Sequence, residues 1–173
     1  MYLAPHPKRS AEMISHYQIR EARSQDADAI ACLYRQLVDD ASVKVLPEVL
    51  ADLSLSSLGF LLVAEDGDQI LGTALLAICQ DAMYGEQPFA VIENIVVDSL
   101  YLRSGIGSLL IEEVERICFL RDCSKILLSS SCDRVQAHQF FQRHGYSDRV
   151  KVGFVKYRSQ LANFAEQGAA SNP

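Results

Sequence analysis

The feature that most constrains this chain is a strand-length apolar run, Phe89 to Val97, that leads within a few residues into Arg103-Ser104-Gly105-Ile106-Gly107-Ser108 and then into a helical pattern. Ile106, Leu109, Leu110, Val114, Ile117 and Cys118 share one helical face while Glu112, Glu113, Glu115 and Arg116 lie elsewhere, the spacing of an amphipathic helix laid on a sheet. A strand that turns through glycines into a helix makes an anion site. The first N–H groups of the helix lack internal partners, and its dipole is positive there. Glycines also let a diphosphate come close to the backbone. The same turn would equally serve as a tight connection that binds nothing. Residue identity excludes two common phosphate loops: a dinucleotide fingerprint would need a third glycine at Leu110, and a P-loop would need four residues between its glycines, followed by lysine.

Around this core unit the pattern alternates between strand and helix. Tyr17 to Glu21 reads as a short strand. Ser24 can cap a helix whose face is Ala27, Ile30, Ala31, Tyr34, Leu37 and Val38, with Asp26 and Asp28 suited to its positive end. Pro47 opens a second helix to about Leu58, and Gly59 closes it before an apolar strand, Phe60 to Ala64. Asp66-Gly67-Asp68 then predicts an antiparallel hairpin with Gln69 to Gln80. Beyond the central helix, Lys125 to Ser131 reads as a strand. Asp133 with Gln136 resembles a capping box for a helix with inner face Ala137, Phe140, Phe141 and His144, stopped by Gly145. Tyr146 to Tyr157 reads as a last strand or strand pair. The fold class is mixed α/β, in the order β-α-α-β-β-β-α-β-α-β. Residues 1–15 and 166–173 read as tails around one domain, 16–165.

With 173 residues, 49% hydrophobic and 22% charged, the chain suits one globular domain with one active site. A net charge of −6 argues against nucleic acid as a partner and suits a cationic substrate slightly better. The five cysteines, at 32, 79, 118, 123 and 132, form no CxxC pair and read as reduced structural thiols, Cys132 among them as buried. His6, His16, His138 and His144 show no metal-ligand spacing, so no metal site is expected. No apolar run is long enough to span a membrane and the N-terminus lacks a signal core, which makes the cytoplasm the default compartment.

A second segment, Arg134-x-x-Ala137-His138-x-Phe140-Phe141-x-x-x-Gly145-Tyr146, follows the glycine turn by about thirty residues. The two motifs, in this order and at this distance, resemble the GNAT superfamily of N-acetyltransferases. That resemblance implies a mostly antiparallel twisted sheet flanked by helices and splayed at its central strands, with acetyl-CoA as cosubstrate. By position, the backbone of Ile95, Val96 and Val97 would bond the pantetheine arm and thioester carbonyl. The amides of Arg103, Ser104, Gly105, Ile106, Gly107 and Ser108 would take the pyrophosphate.

Direct acyl transfer needs a deprotonated amine, a polarised carbonyl and a thiolate that can leave. Glu93 is the candidate base, through water, since the family often has glutamate there and a carboxylate in an apolar strand needs a reason. Strand alternation could equally turn it to solvent. The N–H of Val96 or Val97 would donate to the oxyanion if the strand is bulged. The family's usual tyrosine acid is replaced by Phe141, with Ser131, Cys132 and His138 as substitutes, and Leu102 stands where the family usually has Arg or Gln. The acceptor would be a primary amine on a small molecule, a peptide N-terminus or a lysine. The rival is a non-catalytic acyl-CoA-binding regulatory module. The family often dimerises, and Phe154, Val155 and Tyr157 offer an apolar edge for a homodimer.

Overall fold

The computed structural model describes residues 16–38 and 40–164, so the expected tails lie outside the described residues. The chain divides after Ser129 into two compact units.

The first unit is a five-stranded sheet in the order β1 (Gln18–Glu21), β2 (Gly59–Asp66), β3 (Gln69–Cys79), β4 (Phe89–Val97), β5 (Ile126–Leu128). All neighbours are antiparallel except β4 and β5, which run parallel. This is the mixed, mostly antiparallel sheet that the resemblance implied. The Asp66-Gly67-Asp68 turn closes the β2–β3 hairpin, with Gly67 at φ 58. β5 is shorter than the expected 125–131.

Helices α1 (Ala27–Leu37) and α2 (Pro47–Ser54) cover one face, where Ala22, Ala27, Ile30, Leu50, Leu61 and Val63 form a buried cluster. The alternate residues Phe60 and Leu62 turn to the other face, beside Ile117 and Leu120 of α3 (Ile106–Leu120). A strand covered on both sides reads as one continuous apolar run, as β2 does. On α3, Ile106, Leu110, Ile111, Val114, Ile117 and Cys118 are buried, each contributing on the order of 1.5–3 kcal/mol. Gly72 of β3 makes this seat close: a Cβ there would meet the Val96 carbonyl and the Ile106 Cγ2, each at 3.1 Å.

α3 ends where Asp122 turns left-handed at φ 53, the Cys123 N–H donates to the Cys118 carbonyl at 2.9 Å and the Asp122 N–H to Phe119 at 3.1 Å. In this capping pattern the residues at the two outer positions touch, here as the Cys118 and Cys123 thiols. Burial pushes Cys118 up to about 12, and Cys123 is raised by the same cause.

The second unit holds α4 (Val135–Arg143). Its N-cap is Arg134 without a side-chain cap bond, so Gln136 falls one position too early and the expected capping box does not form. The His138 Nε2–H donates instead to the Ser131 carbonyl at 2.9 Å. Gly145, at φ 84, stops the helix as expected, and the Phe141 and Tyr146 rings meet edge to face behind it. The strand expected at 146–157 is not formed. Among the described residues no strand pairs with this segment, and an extended backbone without a pairing strand does not become one. No described helix is long and apolar enough to cross a membrane.

Candidate functional site

The site is built on β4. Up to Ile92 this strand pairs with β5, and the last pair is Ile92 with Leu128. Beyond that point the described residues pair Glu93 to Val97 on the β3 side alone. The sheet therefore opens between its last two strands, β4 and β5, leaving a backbone edge to meet an extended ligand.

The β3–β4 register slips at the same place. Thr73 lies opposite Val96 but Leu75 lies opposite Glu93, so Ala74 faces two residues, Asn94 and Ile95. Such a bulge re-aims the backbone, and Asn94 adopts φ 52, which asparagine tolerates better than most residues. Tyr34 of α1 presents its hydroxyl to the side chains of Asn94 and Thr73. The Thr73 hydroxyl itself donates to the Leu62 carbonyl at 2.7 Å. Burial pushes the Tyr34 phenol up to about 12, so it stays protonated at neutral pH.

From Val97 the chain passes through Asp98, whose N–H donates to the Leu71 carbonyl at 2.8 Å, and a short turn, Ser99–Tyr101. Gly105 is the N-cap of α3 at φ 96, a conformation that favours glycine, and it supplies no side-chain cap. A helix start whose N-cap residue offers no capping oxygen of its own fits a diphosphate. The Ile106 side chain is wholly buried, so only its amide can serve a ligand. Arg103 is exposed at φ 65, while Ser104, Gly105, Gly107 and Ser108 are half-buried.

The remaining expected residues fall as follows. Ile95, Val96 and Val97 are half-buried along the open edge. Glu93 is exposed, as alternation allowed, and accepts from the Ser129 hydroxyl at 3.5 Å. Phe141 is buried, Leu102 is exposed, and Cys132 is exposed where the sequence suggested burial. Sequence reasoning missed Tyr34, Gln36 and Gly72. Tyr34 had been read only as part of a helix face, and neither Gln36 nor Gly72 belongs to a motif. No group of three or more His, Cys, Asp or Glu side chains among the described residues is placed to hold a metal ion.

Comparison with known proteins places this geometry in context. A model of the Acetyltransferase (GNAT) family matches residues 20–146. The uncharacterised protein YxbD of Bacillus subtilis is 33% identical over 92 residues, 53% of this chain and 52% of that protein, so the match spans about half its length. A putative acetyltransferase from Agrobacterium tumefaciens superposes with a TM-score of 0.74 at 22% identity, over 82% of this chain and 99% of that one. An aminoglycoside N-acetyltransferase solved in complex with CoA gives 0.69 at 19% identity, over 83% and 95%. At these identities the structural likenesses show the fold.

Proposed function

The chain belongs to the GNAT family of acetyltransferases, and on that premise we propose that it moves an acetyl group from acetyl-CoA to a primary amine by direct attack. The acceptor is a small molecule, a peptide N-terminus or a lysine. The observation that carries the reading is one continuous stretch: the open, bulged half of β4 running into an α3 whose N-cap is a glycine. The likeness to an acetyltransferase solved with CoA supports it.

Each part of the stretch has a task. The amides from Arg103 to Ser108 hold the pyrophosphate, where the positive end of α3 favours negative charge. The backbone of Ile95, Val96 and Val97 bonds the pantetheine arm, and the N–H of Val96 or Val97 donates to the carbonyl oxygen as it gains charge. Glu93 takes the amine proton through a water, which its exposed position permits. When bound, acetyl-CoA supplies the acetyl group as a thioester. A thiol of pKa about 8.5 leaves near pH 7 at a cost of about 2 kcal/mol, so departure does not require a tyrosine where Phe141 stands. Phe141 and Leu102 are also what favour a second reading, a module that binds acyl-CoA without turnover.

Thiol release from acetyl-CoA across a panel of amines separates the two. Amine-dependent release by the wild type, lowered about a hundredfold in Glu93→Gln, supports transfer. Coenzyme A binding without release from any amine favours the module. Gly107→Val should raise the dissociation constant for coenzyme A at least tenfold in a folded protein, and an unchanged constant would sink the pyrophosphate assignment. As a further part of the same proposal, the chain forms a homodimer through the exposed apolar segment that contains Phe154, Val155 and Tyr157.

A further inference from the structure

The last turn of α1 meets the chain where β4 ends. There the Gln36 carboxamide makes two bonds: its Oε1 accepts from the Ser99 backbone N–H at 2.9 Å, and its Nε2 donates to Asp98 Oδ2 at 3.3 Å. The partners fix the orientation of the amide, because the reverse would set donor against donor and oxygen against oxygen. The bonds continue beyond this point. Asp98 Oδ1 accepts from the Leu100 N–H at 2.9 Å, and the Asp98 carbonyl accepts from the Tyr101 N–H at 2.8 Å. The Tyr101 carbonyl in turn accepts from the Ser104 N–H at 3.3 Å and from its Oγ at 2.6 Å. Ser104 immediately precedes Gly105, the N-cap of α3. An unbroken run of hydrogen bonds thus joins the end of α1 to the glycine turn.

Gln36 is exposed, so burial in the core does not explain its placement. Its side chain is spent on the turn. A turn whose amides must hold a ligand to within a fraction of an ångström gains from a second anchor on a rigid helix.

We propose that Gln36 is a positioning residue for the cofactor turn: it ties the Asp98–Ser99 corner to α1 and so holds the amides from Arg103 to Ser108 in the arrangement that binds the pyrophosphate. This role rests on the coenzyme reading above, and it also makes α1 a mechanical neighbour of the turn. Displacement of the end of α1, where the chain leads toward α2, alters the hold on coenzyme A.

Gln36→Glu is the informative substitution. It keeps an oxygen for the Ser99 N–H but sets a carboxylate against Asp98, the titratable group bonded to Gln36; Asp40, further along, is engaged with the Ser42 N–H. As the pH falls, one carboxyl of the new pair takes up a proton, donates to the other and restores the bond. Calorimetric titration with coenzyme A should therefore show Gln36→Glu binding about tenfold more weakly than wild type at pH 7.5, with most of the loss recovered at pH 5.5. Gln36→Ala should bind about fivefold more weakly at both pH values. In the unliganded protein, hydrogen exchange of the amides between Ser99 and Ser108 should be faster in Gln36→Ala. Wild-type affinity in both variants at both pH values, with normal binding by the wild type, overturns the role of Gln36 alone. A wild type that binds no coenzyme A overturns the coenzyme reading and this role with it, while the exchange data still report whether Gln36 holds the turn.

Discussion

Asp26 is nearly buried, yet it is held in the charged form. Burial pushes its pKa up, but the Arg20 guanidinium at 2.7 and 3.1 Å and the Arg23 N–H at 2.7 Å outweigh burial and leave it below the usual carboxylate value. Arg20 also donates to Glu65 at 2.6 Å, so the network ties β1 to β2 and to the start of α1. A carboxyl whose folded pKa is depressed stabilises the fold at pH values above its unfolded pKa, near 4, and that stability is lost as pH falls through the folded value. Asp26→Asn should cost about 2 kcal/mol at pH 7. Its melting temperature should also fall less steeply than that of the wild type below pH 4, and parallel curves would show that Asp26 is not the group responsible. At this scale the sequence was only partly legible. Asp26 could be placed at a positive helix end, but Glu65, the second carboxylate held by its partner Arg20, comes from a distant strand that only the folded sheet brings near. Glu93 stood out as a charge in an apolar run, whereas Gln36 had no such contrast on the polar side of its helix.

At the scale of elements, left-handed positions decide where helices stop, and two helices here solve the same problem differently. Gly145 ends α4 in a conformation that favours glycine, while α3 ends on Asp122, which pays a steric penalty for its φ of 53. Asp122→Gly should raise stability by about 0.5–1 kcal/mol, less than the full steric penalty because glycine also loosens the unfolded chain. Chemical denaturation would show a higher midpoint at unchanged slope, and a lower midpoint would mean that the aspartate side chain supports the cap. The helix stop at Gly145 and both ends of β4 were legible because they depend on local residues. The start of α4 was not: Asp133 and Gln136 have the spacing of a capping box, but the chain makes Arg134 the cap. The segment 146–157 had a strand's sequence, yet pairing is a property of two segments, and sequence periodicity sees one.

At the scale of the whole molecule, one exposed stretch is both apolar and basic. Phe154, Val155 and Tyr157 are 94, 70 and 69% exposed, in a stretch that also carries Arg149, Lys151, Lys156 and Arg158 on a chain of net charge −6. An apolar, basic stretch on an acidic protein suits docking against another copy of that protein. Sedimentation at tens of micromolar should therefore give a dimer for the wild type and a monomer for Phe154→Asp, while a monomeric wild type would end the proposal. The order of elements in the first unit was readable from periodicity, since each strand and helix there is buried against another. The opening between β4 and β5 was not readable from periodicity, and came only with the resemblance, because both strands look fully paired as sequences. That opening has a consequence for stability. A sheet with an unfinished seam is completed by whatever lies in it, so an extended ligand there takes the part of a missing strand. Resistance to heat then depends on how much of that ligand surrounds the protein.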